Sequence, residues 1–125
     1  MAESIIAAKS YLFANRIIKL ERYLSKEKQE RIISKQLFRS GTSIGANVAE
    51  AVFAQSQADF VNKHQIALKE ANESRYWIRL LHDNEYLDEN MFVSLKTDID
   101  ELISILASII RTSQTNKEVS NKTYN

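Results

Sequence analysis

The sequence contains no cysteine and no proline, and only two glycines in 125 residues. The lack of cysteine excludes a disulfide scaffold, a zinc-thiolate site, an iron–sulfur cluster and thiol chemistry. The lack of proline and near-lack of glycine argue against a sheet protein with many tight turns. No apolar stretch approaches the ~18–20 residues of a membrane span. The opening MAESIIAAKSYLF has an acid at Glu3 and no basic residue before its short apolar run. It makes a poor secretory signal, so a soluble cytoplasmic protein without a membrane partner is expected.

Net charge is nearly absent too, at +1, but the total hides an asymmetry. Residues 1–42 carry nine basic and four acidic side chains, and residues 43–125 carry eight basic and twelve acidic ones. Such a split fits an anionic partner for the first half, or a self-complementary distribution that helps helices or subunits dock. The second reading is favoured, because a dedicated nucleic-acid binder is strongly basic overall.

What is present is helical periodicity, in four segments of a length suited to one domain. From about Ser4 to Leu24, Ile5, Leu12, Phe13, Ile17, Leu20 and Leu24 return to one side. A break at Ser25 leads to a second segment, about Lys26 to Ala54, with Ile33, Leu37, Ser40, Ile44, Val48 and Ala51 on one face. Gly41, Gly45 and Ala49 form a smooth ridge beside that face. Glycine inside a helix costs about 1 kcal/mol relative to alanine, so the pair implies a closely approaching backbone; a turn at Gly41 is the competing reading. The third segment, about Gln57 to Asn84, opens on Ser56-Gln57-Ala58-Asp59, a capping-box pattern. Phe60, His64, Ala67, Ala71, Ser74, Ile78 and Leu81 then form a coiled-coil-like seam. Its small centre suits packing against the glycine ridge. The fourth segment, about Asp88 to Thr112, has Asp88 as N-cap and Phe92, Leu95, Ile99, Leu102, Leu106 and Ile109 as its stripe. Ile103 and Ile110 widen that stripe beyond what one neighbouring helix needs.

Short links between long helices favour antiparallel neighbours, hence an all-α, antiparallel up-down-up-down four-helix bundle over residues 1–114. The sequence turns polar from Ser113, and residues 115–125 are expected to form a disordered tail.

Bundles often hold metals, but ligand spacing is missing. A di-iron carboxylate site needs Glu-x-x-His on a helix. Here Val61 precedes His64 and Arg79 precedes His82 at that spacing. The two histidines stand about 27 Å apart along one helix. His64 is expected to be a packed, hydrogen-bonded core residue. No phosphate-binding glycine loop or Gly-x-Ser-x-Gly elbow occurs, and Ser43 has no activating partner nearby. No catalytic, cofactor-binding or metal-binding residue is therefore assigned.

Two polar groups stand out. Asn47, Glu50, Glu70, Glu73 and Arg75 lie near the middle seam, with Arg39, Lys69 or Arg75 as counter-charges. A structural network that fixes helix register is the favoured reading, with a ligand or partner site as the alternative. Lys28, Arg31, Lys35 and Arg39, at spacings of 3, 4 and 4, form a basic stripe on the second helix. Lys9, Arg16, Lys19 and Lys26 run along the first. Such stripes can track phosphates, in RNA or DNA, although a solvated face is the commoner outcome. Adjacent Tyr76 and Trp77 cannot both point to one core, so one is expected to meet a subunit neighbour.

Several blocks together resemble a known family. The run Phe38-Arg39-Ser40-Gly41-Thr42-Ser43-Ile44-Gly45-Ala46-Asn47-Val48-Ala49-Glu50-Ala51, then Asp59-Phe60, then Ala67-Leu68-Lys69-Glu70-Ala71-Asn72-Glu73-Ser74-Arg75-Tyr76-Trp77, is similar to the four-helix-bundle proteins encoded in 23S ribosomal RNA intervening sequences. Ala51 stands where that pattern usually has glycine. The resemblance implies a homo-oligomer, a ring-like pentamer, without enzymatic activity; it leaves the biochemical role undefined, with association with RNA as the leading reading. A related bundle, the accessory protein of diversity-generating retroelements, offers the alternative of a nucleic-acid- and reverse-transcriptase-binding module.

Overall fold

The computed structural model describes the backbone of residues 2–124, with the side chains of all of these except Glu3 and residues 117–124. Four helices follow in order: α1, Ala2–Lys26; α2, Ile33–Ala51; α3, Gln57–Asp83; and α4, Glu89–Tyr124. No strand occurs among the described residues. Each helix packs on its chain neighbours, and α4 closes the ring against α1, without close backbone approach across either diagonal among the described residues. This pattern is compatible with the up-down-up-down order expected from short connections.

The core is a set of inward stripes at spacings of 3 and 4. On α3 the buried positions are His64, Ala67, Ala71, Ser74, Ile78 and Leu81, as the periodicity predicts. On α4 they are Leu95, Ile99, Leu102, Leu106, Ile109 and Ile110, and Ile103 also packs against the core. The wide α4 stripe is thus largely absorbed inside the bundle. On α1 the phase differs from expectation. Ile6, Ser10, Phe13, Ile17, Leu20 and Leu24 are buried, whereas Ile5 and Leu12 are exposed. The serine at position 10 interrupts the apolar pattern and hides the true seam. α2 comes close at that position: a Cβ built on Gly45 would stand 3.3 Å from the Ser10 carbonyl oxygen and 3.4 Å from its Oγ, which leaves little room for a larger side chain. One built on Gly41 would stand 3.0 Å from an Ile17 side-chain carbon. The glycines therefore serve close approach of α2 to α1, not to α3, and Ala49 is exposed. No turn interrupts the helix at Gly41. Between α2 and α3 the small seam residues instead bring the hydroxyls of Ser40 and Ser74 within 2.8 Å.

The connections use caps in place of glycine. Ser56 Oγ accepts the Asp59 amide at 3.0 Å, and Asp88 Oδ1 accepts the Met91 amide at 2.8 Å, so both expected N-caps are present. The Asp59 carboxylate accepts from the Gln55 amide, one residue before the expected Ser56. The first connection departs further from the sequence reading. α1 continues past Ser25 to Lys26, and residues 27–32 form a loop. Gln29 there has φ 55°, a left-handed conformation that glycine normally fills. Glu85, after α3, has φ 68°. Ser113, within the expected bundle span, is buried in α4, and its carbonyl accepts a 3.5 Å hydrogen bond from Gln57. Of the expected tail, Thr115 and Asn116 are exposed, the backbone continues as helix to Tyr124, and the side chains from residue 117 on lie outside those described.

Candidate functional site

The turn at Gln29 decides the fate of the basic stripe. It swings the Glu30 side chain back under the start of α2, where Glu30 is buried. The Glu30 carboxylate accepts from the backbone amides of Ile32 at 3.2 Å, Ile33 at 3.1 Å and Ser34 at 2.6 Å. These are the unsatisfied donors of a helix N-terminus, and a negative charge there also complements the helix dipole. Burial pushes the Glu30 carboxyl up, but the amides of Ser34, Ile33 and Ile32 outweigh it and hold it below the usual carboxylate range.

With α2 starting at Ile33, Lys28 and Arg31 lie in the loop and do not share a helix face with Lys35 and Arg39. The reason is that the expected spacing of 3, 4 and 4 assumed unbroken helix through a left-handed residue. Arg39 is also neutralised: Nη1 lies 3.2 Å from Glu70, and Nη2 meets Glu73. Glu73 in turn accepts from the Trp77 indole at 2.9 Å.

The polar network around the middle seam resolves into separate pieces. Arg39, Glu70, Glu73 and Trp77 form one, joining α2 to α3. Arg75, expected to belong with them, reaches across to Asp100 on α4 at 3.4 Å and to Asn72 at 3.1 Å. Hydrogen bonding from Lys96, with that cation and Arg75 adding to it, holds Asp100 below the usual carboxylate range. Glu50 is exposed and pairs with Lys63 at 3.0 Å, which raises the lysine above its ordinary value. Asn47 bonds only its own helix, at the Ser43 carbonyl, 2.8 Å away. Its i to i+3 spacing from Glu50 gives no shared site, because neither side chain reaches the other's partner.

The first-helix stripe also divides. Lys9 pairs with Glu101 at 2.9 Å and Arg16 with Asp98 at 2.8 Å, both on α4. Cations of the basic half thus meet acids of the acidic half inside one chain, as the self-complementary reading predicts. What remains is a group at one end of the molecule. Lys19, Arg22 and Lys26 on α1, Lys28 and Arg31 in the loop, and Lys35 on α2 are exposed and form no ion pair with any described residue. Arg22 was absent from the sequence-derived stripes; its signal is the spacing Lys19, Arg22, Lys26, three and four apart.

Apolar side chains are exposed elsewhere. Tyr11 and Leu12 on α1 are 68% and 66% exposed, and Val52 and Phe53 after α2 are 70% and 84% exposed. Between α1 and α2 runs a nearly apolar groove of about 290 Å³, walled by Ala7, Tyr11, Ala14, Gly45, Ala46 and Val48 among others. Tyr76 is 55% exposed and meets the half-buried Trp77 edge-on, with ring centroids 5.0 Å apart. The histidines occupy unrelated places. His64 is buried in the α3 seam, and His82 stacks on Phe92 and bonds Glu89 at 2.8 Å. Among the described residues no three His, Asp or Glu side chains come together as a metal site. No helix among them is long and apolar enough to cross a membrane.

Comparison with known proteins agrees with this architecture. Among curated proteins none matches the chain. A crystal structure of a protein with unknown function from the S23 ribosomal protein family, from Bacteroides thetaiotaomicron VPI-5482, is similar at 49% identity and a TM-score of 0.88. The match covers 89% of this chain and 99% of that one. The family model described as 23S rRNA-intervening sequence protein matches residues 2–108. That span takes in the seams of α1 to α3 and the α4 seam through Leu106, and the chain belongs to the 23S rRNA-intervening sequence protein family.

Proposed function

We propose that the chain is a non-enzymatic, self-assembling helical bundle that acts by binding, as a homo-oligomer. The observation that carries this reading is the apolar surface over α1 and α2: the groove beside Gly45, walled by Ala7, Ala14, Ala46 and the exposed Tyr11. Contiguous apolar surface of this kind marks protein interaction sites in soluble proteins. The expected site is the α1–α2 face, not the α4 stripe, which the bundle itself buries. The family resemblance points to five subunits. Light scattering tests it: the wild type should elute at a multiple of 14.4 kDa, with five copies the expectation. Replacing Tyr11 and Ala46, both on the wall of that groove, by glutamate should return it to a monomer. A monomeric wild type at micromolar concentration would remove the proposal.

A second reading is supported by a separate observation, the six exposed cations without ion-pair partners at the α1–α2 end. Repeated in an oligomer, they would present a positive surface to a phosphate backbone, and attraction over a Debye length of about 8 Å follows local charge and not the total. Weak, salt-sensitive, sequence-indifferent RNA binding is expected. Lys28→Glu with Arg31→Glu should weaken it and flatten its salt dependence, while Arg39→Ala should change it little. No binding by the wild type at low salt would exclude this role.

A further inference from the structure

The cavity at the α2–α3 end is the least explained feature of the molecule. It has a volume of about 460 Å³ and is walled by Val48, Ala51, Val52, Ala54 and Phe60, with Gln55, Ser56 and Gln57 at one side and His64 among its lining residues. Among the described residues no charged side chain lines it. A cavity of a few hundred Å³ with apolar walls and few polar groups has the anatomy of a small-molecule site.

His64 supplies the chemistry. The residue is 2% exposed, and its Nδ1 lies 2.9 Å from the Phe60 carbonyl oxygen. A carbonyl only accepts, so the imidazole proton of the neutral ring sits on Nδ1 and Nε2 presents a lone pair. The Phe60 ring packs 4.4 Å from the imidazole and fixes it in place. No described residue bonds Nε2. Yet among the described residues no fully buried side-chain nitrogen or oxygen is left without a partner. Nε2 is therefore not fully buried, and His64 is itself one of the residues that line the cavity.

We propose that this cavity binds a small, neutral, mainly apolar molecule bearing one hydroxyl group, which donates to His64 Nε2 while its body covers Val48, Ala51, Val52 and Phe60. The apolar walls disfavour a charged ligand, because no counter-charge stands among the described lining residues. The Nε2 lone pair itself bonds only a ligand group that donates.

The test uses p-cresol and p-xylene, which share a shape and differ by the hydroxyl. With the full chain, p-cresol should bind saturably and about 3- to 10-fold more tightly than p-xylene, the usual worth of one hydrogen bond. The Nε2 resonance of His64 should move with p-cresol and not with p-xylene, while Nδ1 stays protonated. His64→Leu should erase the preference between the two ligands. Should that variant fail to fold, Ala54→Leu, at the partly exposed rim, should block both ligands while leaving the core intact. Equal affinity for the two molecules, an unmoved Nε2 signal, or no saturation by about 10 mM would overturn the proposal.

Discussion

Helix α1 is held on its two sides by different physics. Against α2 it is met by glycine: Gly41 faces Ile17, and Gly45 faces the Ser10 backbone, each close enough that a single added carbon crowds. Against α4 it is met by ion pairs, Lys9 with Glu101 and Arg16 with Asp98, whose side chains are 36–50% exposed. The first interface depends on volume, where close-packed atoms cannot move aside. The second depends on charge in contact with water, where screening and side-chain entropy leave little net gain. The contrast teaches that the interface with the fewest side-chain atoms is the one least tolerant of change.

Substitutions can break that comparison in order of expected effect. Gly41→Leu and Gly45→Leu should each destabilise by about 1–3 kcal/mol through overpacking. Thermal melts would show it, and a wild-type melting temperature for both would mean that the helices part freely. Next comes the joint that sets how α2 meets α1. Glu30→Ala, which strips the amides of Ile32, Ile33 and Ser34 of their acceptor, should cost about 1–2 kcal/mol in urea titrations at pH 7.

Glu30 also gives a pH dependence. Its folded carboxyl titrates below the unfolded one, so its stabilisation is complete above the ordinary carboxylate value of about 4.3 and is lost as pH falls through the lower folded value. Wild type should lose stability over that window, and Glu30→Ala should lose less. Parallel losses in the two proteins would assign the acid sensitivity elsewhere, Asp100 first, because its carboxyl is also lowered. A gain is expected at Gln29. Its left-handed φ of 55° suits glycine, so Gln29→Gly should stabilise by about 1 kcal/mol. The smallest effect belongs to the α1–α4 side: Lys9→Ala or Arg16→Ala should each change stability by less than about 1 kcal/mol. A larger loss there would make charge, and not close packing, the dominant restraint on α1.

Much of the fold was legible because helix formation leaves a local, periodic record. The α3 seam from His64 to Leu81 and the caps at Ser56 and Asp88 could be read directly. Spacing of 3 and 4 and a hydroxyl or carboxylate before the first turn act within one helix and need no neighbour. The intended sites fared differently. In the run Glu27-Lys28-Gln29-Glu30-Arg31, every residue is polar, so nothing local distinguishes a solvated helix face from a loop that buries one carboxylate.

By itself the sequence determined that the chain is all helix, which residues of α3 and α4 face inward, and that two glycines need a close neighbour. Which neighbour was decided only by the tertiary structure, as were the buried Ser10 that shifts the α1 seam from Ile5 to Ile6, the dispersal of Asn47, Glu50, Glu73 and Arg75 among separate partners, and the freeing of Lys19, Arg22 and Lys26 while Lys9 and Arg16 are neutralised. The physical reason is one of range. Periodicity records the face of a helix that must leave water, but a glycine, a buried serine or a surface cation acquires its meaning from atoms distant in the chain, and those arrive only when the helices pack.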